Sequence, residues 1–165
     1  MFGFFTTRRA FFFIFVVSAG FLIFNAWMYA QVKFSPCTMD FVERVLMLLV
    51  ASVSLIVFFM KYQVMLSKKI GGMVCLIFSG LGIYISWHHW WMQHLPSSQL
   101  SSYLKVTPDQ LQYLGFPRIV LVGCLGDQSC AAISWVKHGI SSPGWFVGIF
   151  GVIALVSLLQ WFFKR

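Results

Sequence analysis

Four long apolar runs separated by short polar breaks dominate the chain. The first, Ala10 to Ala30, lies between Arg9 and Lys33 and carries no charge. The second, Phe41 to Met60, holds Glu43 and Arg44 in its first turn, and the third runs from Ile70 to Met92. The fourth runs from Gly144 to Phe163. A helix needs about 20 apolar residues to cross the roughly 30 Å hydrocarbon core of a bilayer, and each run is that long. A core helix of a soluble protein is shorter and shows a polar stripe, which these runs lack. The pattern predicts an all-α membrane protein: a four-transmembrane-helix bundle with spans at about 10–30, 41–60, 70–92 and 144–163. A short loop (31–40) and a long loop (93–143) fall on one side, a tight basic turn (61–69) on the other. Residues 1–165 read as a single membrane domain. The first run is too long for a signal peptide and lacks a clear small-x-small site, so an uncleaved first span is expected.

Composition agrees: 59% of the 165 residues are hydrophobic and only 10% are charged, against roughly 25% charged in soluble domains. The net charge of +8 does not point to nucleic acid, because the charges are sorted by side. Arg8, Arg9, Lys61, Lys68, Lys69, Lys164 and Arg165 flank the spans on one face. Lys33, Arg44, Lys105, Arg118 and Lys137 lie on the other with all four acids, Asp40, Glu43, Asp109 and Asp127. The positive-inside rule places the first face, with both termini, in the cytoplasm. A bacterial inner membrane is the expected location. No Asp, Glu, Lys or Arg lies mid-span, which argues against a transporter or channel.

The long loop opens on a turn signal, Leu95-Pro96-Ser97-Ser98. Thr107-Pro108-Asp109-Gln110 reads as a helix start with proline at the first helical position. Phe116 to Leu121 reads as a segment on the membrane surface, with Arg118 reaching to headgroups. Trp27, Trp87, Trp90, Trp91, Trp145 and Trp161 sit near the span ends, as interfacial anchors do.

Chemistry is confined to a few residues. Cys75 lies among apolar neighbours and reads as a packing residue. Cys37, Cys124 and Cys130 fall on the outer side, where disulfides persist. Cys124 and Cys130, with two glycines near them, are close enough in sequence to pair, as a structural staple or as an exchangeable disulfide; spacing favours the staple. Cys37 follows Pro36 and precedes a helix start. The helix N-terminus lowers a thiol pKa, while Asp40 one turn on acts the other way and is itself spaced to pair with Arg44. Glu43 and Arg44 enter the apolar zone, either as functional groups or as snorkelling side chains. His88, His89 and His94 cluster at the outer end of the third span without carboxylates or thiolates in register, so no metal site is expected.

Three patches resemble the bacterial quinone-linked disulfide oxidases of the DsbB type. Pro36-Cys37-x-x-Asp40-x-x-Glu43-Arg44 is similar to that family's Pro-Cys-x-x-Cys-x-x-Glu-Arg. His89-x-x-x-Gln93-x-x-Pro96 closes the third span. Gly126-Asp127-x-x-Cys130-Ala131 with Trp135 leads to Pro143-x-Trp145-x-x-Gly148-Ile149-Phe150 at the fourth. The resemblance covers nearly the whole chain. It implies an enzyme that reoxidises a periplasmic thioredoxin-fold oxidase of the DsbA type and passes electrons to ubiquinone or menaquinone. Cys37, Cys124 and Cys130 would be its catalytic cysteines, and Arg44, His89 and Glu43 its quinone-side residues. Two departures stand out. Asp40 occupies the place of the second cysteine of the first loop, and no cysteine lies between Leu95 and Val106, which leaves Cys124 as the substitute. The two-electron step needs two sulfurs, and the first loop has one. The departures leave either a reduced circuit, in which Cys37 attacks a Cys124–Cys130 disulfide, or an altered paralogue that serves as a membrane binding or scaffold protein.

Overall fold

The computed structural model describes residues 7–32, 37–60, 65–96, 98–100, 103, 126 and 128–162. Four long helices account for most of them: α1 (Thr7–Val32), α2 (Thr38–Phe59), α3 (Met65–Met92) and α4 (Ser142–Phe162). Each contains a stretch long and apolar enough to cross a membrane. The expected four-helix membrane architecture is therefore present, with every helix reaching a little beyond its expected start. The difference matters at α2, which begins at Thr38 rather than Phe41 because Cys37 caps it. Its sulfur accepts from the Asp40 amide at 3.5 Å and its carbonyl from the Phe41 amide at 3.1 Å. Glu43 and Arg44 thus lie one turn deeper than the sequence suggests.

α1 packs on α2, α2 on α3 and α3 on α4, and α4 closes back on α1. The centre is filled by Phe11, Ile14, Met47, Val50, Phe146, Phe150 and Ile153. Phe21 meets Phe146 edge-on at 4.9 Å, the preferred geometry for aromatic pairs. Gly82 lets α3 approach α4; a side-chain carbon there would come within 2.6 Å of the Phe150 ring. Small polar residues line the helix interfaces, as interfaces within membranes favour. Ser54 and Ser79 are buried and donate one turn back within their own helices, to the carbonyls of Val50 and Cys75, each at 2.7 Å. Cys75 is buried against Ser54, a packing position as expected. Large apolar side chains point outward instead: Ile23, Phe41, Ile56, Phe59 and Tyr84 are each at least 60% exposed. An apolar outside around small polar contacts within is the mark of a lipid-facing bundle. Trp27, Trp87 and Trp91 are also largely exposed.

The connection from α3 to α4 ends in a short 3-10 turn, Gln128–Ala131, and a hairpin of β1 (Val136–Lys137) and β2 (Ile140–Ser141). Hydrophobic patterning predicts neither element. The hairpin turns on His138 and Gly139, both at positive φ (53° and 77°), the pairing that two-residue hairpin loops require. It is pinned to the bundle: the Trp145 indole donates to the Lys137 carbonyl at 3.3 Å, and the Lys137 ammonium lies 4.9 Å from the centre of the Phe24 ring. Trp135 is buried edge-on to Phe24. The expected helix start at Thr107 and the surface segment Phe116–Leu121 lie outside the described residues.

Candidate functional site

The C-terminal ends of α1 and α3 and the N-terminal ends of α2 and α4 share one end of the bundle. Here the chain gathers Cys37, His89 and Cys130, whose sulfur and ring-nitrogen atoms all lie within 4.8 Å of one another. The Cys37 sulfur is 3.6 Å from His89 Nε2. Cys130, fully buried, lies with its sulfur 3.7 Å from the Thr38 hydroxyl. Three segments distant in sequence supply these atoms: the α2 cap, the last turn of α3 and the 3-10 turn before α4.

His89 Nδ1 lies 2.9 Å from Glu43 Oε1, and Glu43 has no exposed surface. Glu43 is therefore a buried partner of His89 and not a snorkelling side chain. A carboxylate can only accept, so the proton sits on Nδ1 and Nε2 turns its lone pair toward the Cys37 thiol. The arrangement is a thiol, a base and an acid that orients the base, the logic of an activated nucleophile. The Cys37 thiol is nevertheless pushed above the ordinary thiol range. Its hydrogen bond with Cys130 contributes most, then burial, and the Asp40 amide at the cap works the other way without prevailing. The helix N-terminus alone points to a lowered value; the neighbouring sulfur and the dry surroundings outweigh it.

Asp40, where the resemblance places a second cysteine, is buried and bound to Arg44, Oδ2 to Nη2 at 2.7 Å. The Arg44 guanidinium in turn lies 4.1 Å from the centre of the Tyr29 ring, a cation–π contact, and the Tyr29 hydroxyl lies against Asp40. An ionisable group at the centre of a span costs about 2.5–3.5 kcal/mol on insertion scales, and one buried nearer a span end still marks function by default. Asp40, Glu43, Arg44 and His89 stand together at this end. Arg44 Nε and Glu43 Oε2 are buried and have no hydrogen-bond partner among the described residues.

Of the site residues expected from sequence, Cys37, Cys130, His89 and Glu43 come together, with Arg44 alongside them. Cys124 lies outside the described residues, as do Pro36 and Asp127, so the expected Cys124–Cys130 pairing carries over only as a proposal. His88 and His94 point elsewhere: His88 Nε2 is 2.8 Å from the Tyr103 hydroxyl, and His94 Nδ1 is 2.8 Å from the Trp90 carbonyl. Tyr29 and Thr38 carry no signal of this site in the sequence, whereas Gly126 belongs to the Gly126-Asp127-x-x-Cys130-Ala131 patch. Gly126 (φ +81°) packs where a side-chain carbon would come within 2.6 Å of the Met39 sulfur and 3.1 Å of the Met92 sulfur. The Gly126-Asp127 dipeptide was the only local signal for it.

Residues 7–160 match the family model described as "Disulfide bond formation protein DsbB". Similar proteins include "Disulfide bond formation protein B" of Marinobacter nauticus, 24% identical over 93% of this chain and 90% of that protein. The protein of the same name from Saccharophagus degradans is 29% identical over 86% of each chain. That of Albidiferax ferrireducens is 28% identical over 92% of this chain and 85% of its own. A four-helix membrane architecture, a buried cysteine cluster at one end and a match over nearly the full length lead to one conclusion: this chain belongs to the DsbB family of disulfide bond formation proteins.

Proposed function

We propose that the protein is a bacterial inner-membrane thiol–disulfide oxidoreductase that reoxidises a periplasmic thioredoxin-fold oxidase of the DsbA type and delivers the electrons to ubiquinone or menaquinone. Both termini are cytoplasmic, and the Cys37–His89–Cys130 end faces the periplasm. The observation that carries the reading is the proximity of Cys37 to Cys130: the sulfur missing at Asp40 is replaced by one from the other loop.

In the resting enzyme Cys124 and Cys130 form the disulfide and Cys37 is a thiol. A partner thiolate attacks Cys124, and the partner's second thiol then displaces it, leaving the partner oxidised and Cys124 and Cys130 as thiols. Cys37 and Cys130 next close to a disulfide as two electrons and two protons leave. Cys124 then attacks Cys130, which restores the starting pair and frees Cys37. Cys130 is the sulfur shared by both disulfides. His89 Nε2 receives the Cys37 proton, and Glu43 holds the ring so that it can. A quinone, when bound, supplies the acceptor for two electrons and two protons. The unpartnered Arg44 Nε suits a quinone carbonyl, and the Asp40 carboxylate fixes the guanidinium beside it.

The test is quinol formation by the detergent-purified chain with a reduced DsbA-type partner. Cys37→Ser is expected to abolish it. Arg44→Ala is expected to raise the KM for quinone about tenfold or more, the value of one charge-assisted hydrogen bond, and to lower the melting temperature as well, because it strips buried Asp40 of its partner. No quinone-dependent turnover by the unaltered protein would refute the reading, and an unchanged KM in Arg44→Ala would remove Arg44 from the quinone site.

A further inference from the structure

We infer that, when Cys37 and Cys130 are both reduced, they bind one zinc(II) ion together with His89 Nε2. This goes beyond the redox reading, since disulfide exchange needs no metal. It departs from the expectation of no metal site, which rested on the absence of thiolates in register with the histidines; the fold brings two cysteines beside His89 from elsewhere.

The distances agree with a tetrahedral ion. Zn–S bonds of about 2.3 Å and Zn–N bonds of about 2.0–2.1 Å set sulfur and nitrogen ligands about 3.5 Å apart and two sulfurs about 3.8 Å apart. Cys37 Sγ and His89 Nε2 stand 3.6 Å apart, and all three ligand atoms lie within 4.8 Å of one another. A small adjustment at Cys130 closes the set. An independent observation comes from the far side of the ring. Metal-bound histidines donate their other N–H to a carboxylate, which fixes the tautomer and the direction of the lone pair. The 2.9 Å contact of His89 Nδ1 with Glu43 supplies that partner. The Thr38 hydroxyl, 3.7 Å from the Cys130 sulfur, can steady the second thiolate. Charge also balances. Two thiolates neutralise Zn(II), the neutral imidazole adds nothing, and the two thiol protons leave for water. A neutral centre suits a buried site, where net charge is costly. Three protein ligands leave the fourth position to water, as in open zinc sites. A Cys37–Cys130 disulfide removes both thiolates, so the ion binds only the reduced protein.

The test uses the full chain in detergent, reduced, stripped with chelator and titrated with zinc(II) alone. One equivalent is expected to bind and to slow alkylation of Cys37 and Cys130, while zinc leaves the reactivity of buried Cys75 unchanged. Cobalt(II) in its place is expected to give thiolate charge-transfer absorption, which falls by about half in Cys37→Ser or Cys130→Ser. Glu43→Gln is expected to weaken zinc about 10–100-fold, the usual effect of losing such a carboxylate. Cys75→Ser is expected to change nothing. No binding by the reduced protein, or binding that leaves Cys37 and Cys130 as reactive as before, would overturn the site. Mapping of the Cys37–Cys130 disulfide in the metal-free Cys124→Ser protein after oxidation with quinone separates the two claims: that disulfide without zinc binding removes only the metal site, and zinc binding without the disulfide removes only the redox reading.

Discussion

His89 holds two partners at once, Glu43 through Nδ1 and Cys37 through Nε2, and this fixes what the cysteine can do. Cys37 is not a surface thiol waiting for oxidant. Its bond with Cys130 and its burial hold the proton on, so its pKa lies above the ordinary range. Only the thiolate reacts, and below the pKa each pH unit raises its fraction tenfold. In the reduced, chelator-treated protein, Cys37 alkylation is therefore expected to be slow at pH 7. It is expected to climb about tenfold per unit without levelling near the ordinary thiol value of about 8.5. A plateau near pH 8.5, read by mass spectrometry at Cys37, would contradict that. Arg44 shows a similar division of labour. Its charge is matched by Asp40 and its plane by Tyr29, while Nε has no hydrogen-bond partner among the described residues.

At the scale of elements, the segment before α4 decides whether the two sulfurs meet. Gly126 brings the chain over Met39 and Met92 at a positive φ, and the 3-10 turn that follows delivers Cys130. The hairpin and Trp145 then tie the segment to the start of α4. Methionine side chains yield to an added carbon, but a left-handed backbone costs a non-glycine residue about 1–3 kcal/mol. Gly126→Ala, placed in the Cys124→Ser protein, is thus expected to lower the yield of Cys37–Cys130 disulfide several-fold while α1–α4 remain folded by circular dichroism. An unchanged yield would show that Gly126 does not position Cys130. The helices were legible in the sequence because about 20 apolar residues admit one solution in lipid. The hairpin was less so, its sole cue being Gly139 after His138. The depth of Glu43 was hidden by the cap, since a helix starting at Thr38 instead of Phe41 carries it inward.

At the scale of the whole molecule, the bundle sets three distant segments at one end and lets α2 and α3 hold the base and its orienting acid. Sequence showed each member of the site, Cys37, Glu43, Arg44, His89 and Cys130, but not which sulfur stands beside which. That depends on how the long connection folds back, which no local periodicity encodes. Asp40 reads in the sequence both as a lost cysteine and as a residue spaced to pair with Arg44, and the fold forms that pair. The first loop still has one sulfur, and the second comes from Cys130. The most direct measurement is disulfide mapping by mass spectrometry of the reduced Cys124→Ser protein, in which position 124 can no longer reclaim Cys130, after oxidation with excess quinone. The expected result is a peptide pair joined through Cys37 and Cys130, absent without quinone. Cys37 remaining unlinked while quinone is consumed would contradict the pairing on which the proposed electron path rests.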